Sequence, residues 1–67
     1  MYIVIELQTD KTGHVSSILT EHATQQEAES KYHAVLSAAA VSEIPVHSCI
    51  IVSNEAFPVK YQCYKNL

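Results

Sequence analysis

The chain contains no arginine, because its four basic residues are Lys11, Lys31, Lys60 and Lys65. Arginine is the residue that proteins favour for two-point contacts to phosphates and to base edges. The lysines are scattered along the chain, and seven acidic residues leave a net charge of −3. We therefore expect no binding to DNA or RNA.

Cysteine and glycine are also scarce, which argues against several kinds of site. Two cysteines allow at most one internal disulfide, and the chain has no Cys-x-x-Cys pair that would indicate a zinc site. Gly13 is the only glycine, so there is no glycine-rich phosphate loop and no nucleophile elbow. We expect no catalytic residues, no metal, no cofactor and no enzyme activity.

The sequence shows no targeting segment. Residues 1–7 are apolar, but they have no basic flank and are too short for a signal peptide or a membrane span. We therefore expect a cytoplasmic protein that does not bind membranes and whose cysteines are reduced.

The length of 67 residues predicts a single small domain over residues 1–67. A chain of this size buries only about 60% of the surface that it exposes when unfolded. The apolar fraction of 48% is high enough to exclude disorder. Small domains usually need a disulfide, a metal or a partner subunit for stability, and we expect a homo-oligomer, a dimer or larger.

The hydrophobic pattern predicts four strands and one helix in the order β-β-α-β-β. Thr24 and Glu27 form a capping box that starts the helix, and Pro45 follows its end. The fold class is therefore α+β, with a four-stranded antiparallel or mixed sheet covered on one face by the helix. The predicted strands span about 2–8, 14–21, 45–53 and 58–64, and the helix spans about 25–40.

Alternation along the strands divides the sheet into two apolar faces. In the first strand Ile3, Ile5 and Leu7 share one face, which we expect to be buried. A bulge near Ser16–Ser17 would bring the apolar residues of the second strand to one face. The other face of the sheet is too apolar for water and predicts self-association or a bound ligand. It would carry Tyr2, Val4, His47, Cys49, Ile51 and Tyr64.

The last hairpin can pair in two registers. A turn centred on Ala56 would place Cys49 opposite Cys63, where the two could form a disulfide. The other register buries more apolar surface and leaves both thiols free, so we prefer it. It puts on one face Ile50, Val52, Val59, Tyr61 and Cys63.

Polar residues around the end of the helix are the candidate site. Glu29 and His33 are four residues apart and can pair on one side of the helix. A short connection then brings Ser42 and His47 close to the helix end, so the four residues could form a cluster. The alternative is that His33 is an exposed helical residue and His47 lies at the end of a strand, as isolated histidines usually do.

The stretch Ala28–Ser48 resembles short proteins of phages and prophages of gut Firmicutes. The shared pattern is Ala-Glu-x-Lys-Tyr-His at Ala28–His33, Ala-Ala-x-Ser at Ala39–Ser42 and Val-His at Val46–His47. The chain departs from that group at Asn54–Phe57, where we expect a glycine and find none. The resemblance implies a phage origin and action in the cytoplasm of an infected bacterium.

The resemblance also implies a function in blocking host defence. The first candidate is a non-enzymatic oligomer that sequesters a small nucleotide-like signal, with Lys31 on a phosphate and Tyr32 stacked on a base. The alternatives are an inhibitor that binds a host protein through its apolar sheet face, and a structural or regulatory domain without a ligand. The predicted ligand-binding residues are Glu29, Lys31, Tyr32, His33, Ser42 and His47.

Overall fold

A computed structural model describes residues 1–66 and shows an α+β fold with one helix packed on a four-stranded sheet. The strand order is β2-β1-β3-β4, and every neighbouring pair is antiparallel. The predicted fold class is confirmed, and the sheet is antiparallel rather than mixed. The elements are β1 (Tyr2–Thr9), β2 (Val15–His22), α1 (Gln25–Ala40), β3 (Val46–Ser53) and β4 (Pro58–Lys65).

The helix starts and ends where the local signals place it. The Thr24 side chain accepts a hydrogen bond from the Glu27 backbone amide at 3.2 Å, which satisfies one of the free donors of the first turn. One apolar side of the helix faces the sheet, and on it Ala28, Tyr32, Val35 and Ala39 are buried. Burial of that stripe is what holds the helix, since isolated helices of this length are marginal in water.

Each of the two hairpin turns contains one residue with a left-handed backbone conformation, a glycine in the first and an alanine in the second. Gly13 has a φ of 89°, while Asp10 accepts hydrogen bonds from the backbone amides of Thr12 and His14. In the second turn the left-handed residue is Ala56, with a φ of 65°. The Ser53 hydroxyl accepts from the amides of Glu55 and Phe57 there. The second turn thus forms without the glycine that we expected.

The helix covers the face of the sheet that we expected to be open. The core contains Val4, Cys49 and Ile51 from the strands, each no more than 2% exposed, packed against the helix. Ile3, Ile5 and Leu7 alternate with these residues and therefore lie on the other side. Our assignment of the two faces was wrong, because alternation shows which residues share a face but not which face the helix covers.

The handedness of the chain explains which face is covered. Strands β2 and β3 each pair antiparallel with β1, so they run parallel and α1 is the crossover between them. Such crossovers are almost always right-handed. The Asn54 amide donates a hydrogen bond to the Met1 carbonyl, which points toward β3. The N–H and C=O groups of the other odd-numbered residues of β1 point the same way, because these groups alternate in direction along a strand. With that orientation, a right-handed crossover lies over the even-numbered side chains of β1.

The register of the last hairpin is the one that we preferred. Ile50 pairs with Tyr61, Ser48 pairs with Cys63, and both cysteines are free. One member of the predicted set differs, since Val59 packs against the core under the helix. The cause is a register shift between Ile51 and Val52. The bulge predicted near Ser16–Ser17 is wrong, because β2 pairs with β1 over all eight residues without a shift.

Within residues 1–66, no helix is long and apolar enough to cross a membrane.

Candidate functional site

The best-defined polar feature lies beneath the helix, where His47 of β3 meets Glu6 of β1. His47 is only 3% exposed, and its Nε2 lies 2.5 Å from Oε2 of Glu6. The Gln8 side-chain amide donates to the same oxygen at 2.9 Å. Because a carboxylate only accepts hydrogen bonds, Nε2 of His47 carries the proton of this bond. The pair links the two central strands on their covered face.

Neighbouring groups keep Glu6 ionised. Burial alone raises the pKa of Glu6, but hydrogen bonds from Gln8 and His47, together with the charges of His47 and Lys31, outweigh it. The net pKa of Glu6 is therefore below its ordinary value of 4.5. Lys31 lies on the helix and is half-buried, and its positive charge lowers the pKa of Glu6 on the sheet.

The other ring nitrogen of His47 has no partner. Within residues 1–66, Nδ1 of His47 is the one buried side-chain nitrogen or oxygen without a hydrogen bond. An unpaired buried polar atom costs about 1–3 kcal/mol.

The chemistry available beside this pair is limited. Cys49 is the nearest thiol in the core, and burial raises its pKa to about 11, with the Glu6 charge acting in the same direction. The thiol is therefore protonated at neutral pH and is not a nucleophile. The hydrogen bond between Glu6 and His47 joins β1 to β3 beneath the helix.

The structure does not gather the predicted cluster. Glu29 accepts from Gln25 at 2.9 Å and pairs with Lys60 at 3.0 Å, and His33 is exposed. The Ser42 hydroxyl accepts from the Ile44 backbone amide at 2.9 Å. His47 bonds to none of the other three, so we find no joint site for the group.

The remaining predicted ligand-binding residues have separate environments. Tyr32 is 5% exposed and belongs to the core, with its ring edge-to-face to that of His33 at 5.5 Å between centroids. It therefore has no free face for a base. Lys31 forms no ion pair within 4.0 Å among the described residues. The side chains of Lys31 and His33 form no hydrogen bond or ion pair within residues 1–66, and His33 is exposed.

Metal-binding groups are likewise dispersed. In the part of the chain that the structure describes, no group of three or more His, Cys, Asp or Glu side chains is placed to hold a metal ion. Cys49 is buried under the helix and Cys63 is exposed on the other face.

A cleft of about 290 Å³ lies at the end of the sheet, between the first hairpin and the loop after the helix. None of the six predicted ligand-binding residues lines it. The cleft is bordered by Gln8, Asp10, Lys11, His14, Ser16, Glu43, Ile44 and Pro45.

The largest feature that sequence reasoning misplaced is the uncovered side of the sheet, which we call the open face. Val15 is 55% exposed, Leu19 56% and Tyr61 74%. A second cleft, of about 250 Å³, lies among the apolar side chains between β1, β3 and β4. The signal for this face was present in β1, where Ile3, Ile5 and Leu7 lie on one side. The open face comprises Ile3, Ile5, Leu7, Thr9, Val15, Ser17, Leu19, Glu21, Val46, Ser48, Ile50, Val52, Tyr61, Cys63 and Lys65.

Sequence reasoning also missed Glu6 and Gln8 as the partners of His47. No spacing in the chain could indicate them, because Glu6 is 41 residues from His47 and meets it only through the pairing of β1 with β3.

Comparison with protein-family models, with curated proteins and with solved structures finds no match to this chain.

Proposed function

We propose that this chain is a non-catalytic protein-binding domain whose contact surface is the open face. The observation that carries the proposal is that the helix covers one face of the sheet and leaves the other, which has more large aliphatic side chains, without a cover. Contiguous apolar patches on soluble proteins usually mark contact sites for other proteins. Of the functions predicted from the sequence, this supports the protein-binding alternative, acting through the face opposite to the one we first assigned.

The polar groups support the non-catalytic part of the proposal. Glu6 and His47 bond to each other beneath the helix, and the Cys49 thiol is protonated in the core. Glu29 is engaged by Gln25 and Lys60. Few polar groups are therefore left to converge on a reacting atom, as catalysis requires.

The test places the same charge on the open face and on the helix. Ile50→Glu puts a carboxylate at the centre of the open face, and Ser37→Glu puts one on the exposed side of α1 as a matched control. Sedimentation velocity measures self-association of the pure protein. Pull-down from the source cell measures any other partner. We expect Ile50→Glu to abolish the association that the wild type shows and Ser37→Glu to keep it.

The opposite result is equally clear. If Ile50→Glu retains every association of the wild type while its circular dichroism and melting temperature show a folded chain, the open face is not the contact surface.

A second candidate is the sequestration of a small nucleotide-like ligand, and Lys31 is the observation that favours it. Lys31 is half-buried, its charge helps to lower the pKa of Glu6, and it forms no ion pair within the described residues. A phosphate would supply the missing partner. Native mass spectrometry with cyclic and ADP-ribose-derived nucleotides tests this: retention that Lys31→Ala removes and Lys11→Ala keeps supports the candidate, and no retention excludes the nucleotides tried.

The phage origin and the location in the cytoplasm of an infected bacterium remain predictions from the resemblance. A small binding domain that blocks a host protein without catalysis agrees with them.

A further inference from the structure

We propose that the open face packs against the open face of a second copy of this chain, with the strands of the two sheets crossing at a steep angle. The inference rests on the proposed function and names the partner.

The registers of the strands fix a map of the open face. Outward side chains form four rows across the sheet, running from β2 to β4. In row order these are Glu21, Ile3 and Val52; then Leu19, Ile5, Ile50 and Tyr61; then Ser17, Leu7, Ser48 and Cys63; then Val15, Thr9, Val46 and Lys65.

Charge occurs at two opposite corners of this map. Glu21 on β2 and Lys65 on β4 are the charged side chains of the open face, and they stand at the ends of one diagonal. Neither forms an ion pair within residues 1–66. One acidic and one basic corner on an otherwise neutral surface is a self-complementary arrangement, since each corner of one copy can meet the opposite corner of the other.

The corners determine the symmetry axis. Two identical faces pack through a two-fold axis that lies in the plane of the interface. Only an axis perpendicular to the diagonal places Glu21 of each copy over the partner's Lys65. With strands about 4.8 Å apart and alternate residues about 6.8 Å apart, this axis makes the strands cross at about 70°. That angle is close to the orthogonal class of sheet packing.

The same axis brings the middle of each open face onto its own copy. It runs closest to Ser17, Leu7, Ile50 and Tyr61, so each of these residues meets its own copy. Val52 then faces the partner's Cys63, and Thr9 faces the partner's Leu19. An axis along the strands would instead put Glu21 over the apolar end of β4, where a buried carboxylate is costly.

The size of the face fits a dimer. Four strands of eight residues form a surface of about 19 Å by 27 Å. The flat area is about 500 Å² for each copy, and protruding side chains add to the accessible surface. The total of about 1,000 Å² or more meets the minimum area of a biological interface. A second copy would also supply the burial that a 67-residue chain lacks by itself.

Charge reversal tests the arrangement. Glu21→Lys turns both corner contacts from attraction into repulsion, and we expect it to weaken the dimer about tenfold in sedimentation equilibrium. Adding Lys65→Glu in the same chain restores opposite charges and should return the dissociation constant to within about twofold of the wild type. Both residues are exposed, and equal circular dichroism checks that the variants fold.

Cross-linking tests the axis directly. On a Cys63→Ser background, Leu7→Cys lies on the axis and Ile5→Cys lies beside it on the same strand. A bis-maleimide linker of about 8 Å suits packed sheets that are about 10 Å apart. We expect it to join Leu7→Cys copies into a covalent dimer, and to join Ile5→Cys copies several times more slowly.

The other outcomes separate this inference from the proposed function. If the double charge variant is not restored while Ile50→Glu still removes the dimer, the open face binds in another arrangement and the inference fails alone. A monomeric pure protein also overturns it, and leaves the proposed function to the pull-down comparison. A dimer that survives Ile50→Glu forms through another surface and overturns the inference, and if the pull-down is unchanged as well, the proposed function fails with it.

Discussion

The two faces of the sheet are formed by the same strands, yet one is covered by its own chain and the other is not. On the covered face Val4, Cys49 and Ile51 are at most 2% exposed and the polar pair Glu6–His47 is internally bonded. The open face has more large aliphatic side chains, but Leu19 and Tyr61 remain more than half exposed. A single helix of 16 residues can cover only one side of a sheet. Apolar content alone therefore does not decide which face becomes the core.

The largest expected effect contrasts two adjacent isoleucines of β3. Ile51 points into the core and Ile50 points to the open face. We expect Ile51→Ala to lower the free energy of unfolding by about 2–5 kcal/mol at any protein concentration, because it leaves a cavity. Ile50→Ala should cost far less in dilute solution, where copies are apart. Urea denaturation at two concentrations measures both, and equal losses in dilute protein would contradict the contrast.

The two cysteines compare the faces chemically. Burial raises the pKa of Cys49 to about 11, against an ordinary value of 9.0. At pH 8 the fraction of Cys49 that is thiolate is therefore roughly one hundredth of that of an ordinary cysteine. We expect alkylation of the native protein to label the exposed Cys63 at least about a hundredfold faster than Cys49. Mass spectrometry of the digested protein follows each site, and labelling in denaturant provides the control. Comparable native rates would show that the covered face opens readily.

The polar pair tests what the covered face tolerates. The pKa of Glu6 is below its ordinary value of 4.5 in the fold, so the folded state holds fewer protons than the unfolded state as that group titrates. Its contribution is therefore present above about pH 4.5 and is lost as the pH falls through the folded pKa. Glu6→Gln should cost about 2 kcal/mol near pH 7, and its stability should fall less steeply in acid than that of the wild type.

Glu55→Gln is the matched control for this pH series, since Glu55 lies exposed in the last turn. Denaturant unfolding at several pH values measures all three proteins. An acid slope of Glu6→Gln equal to that of the wild type would assign the loss of stability to other carboxylates.

The smallest expected change in the free energy of unfolding comes from the turn between β3 and β4. This turn lies on neither face of the sheet, so the change there serves as a reference for the larger ones. Ala56 has a φ of 65°, a region where a side chain costs about 1–2 kcal/mol. Ala56→Gly should therefore stabilise the chain by up to about 1 kcal/mol, part of the gain being offset by the flexibility of glycine when unfolded. Ala38→Gly, on the exposed side of the helix, should destabilise by a similar amount. A loss of stability in Ala56→Gly would contradict the strain.

Local signals in the sequence predicted the elements closely. The helix bounds agree with the structure, and every strand bound agrees to within one residue. Thr24, Gly13 and Pro45 act on their immediate neighbours, so their effect can be deduced without the fold. The register of the last hairpin was also predictable, since only one register joins Ile50 and Tyr61.

The candidate site was much less predictable. Glu29, His33, Ser42 and His47 are near one another along the chain, but the helix and the strand turn them toward different partners. Glu6 was invisible as a partner of His47 because strand pairing alone brings together residues 41 positions apart. Proximity along the chain is a weak guide to such contacts.

The sequence by itself determined the elements, their order and the division of each strand into two sets of side chains, because these depend on neighbouring residues. The tertiary structure alone decided which set became the core. Strand order and the right-handed crossover from β2 to β3 place the helix over the even-numbered residues of β1. The odd-numbered set of β1 is the more apolar one, so composition favoured it as the core, and the handedness of the connection placed the helix over the other set.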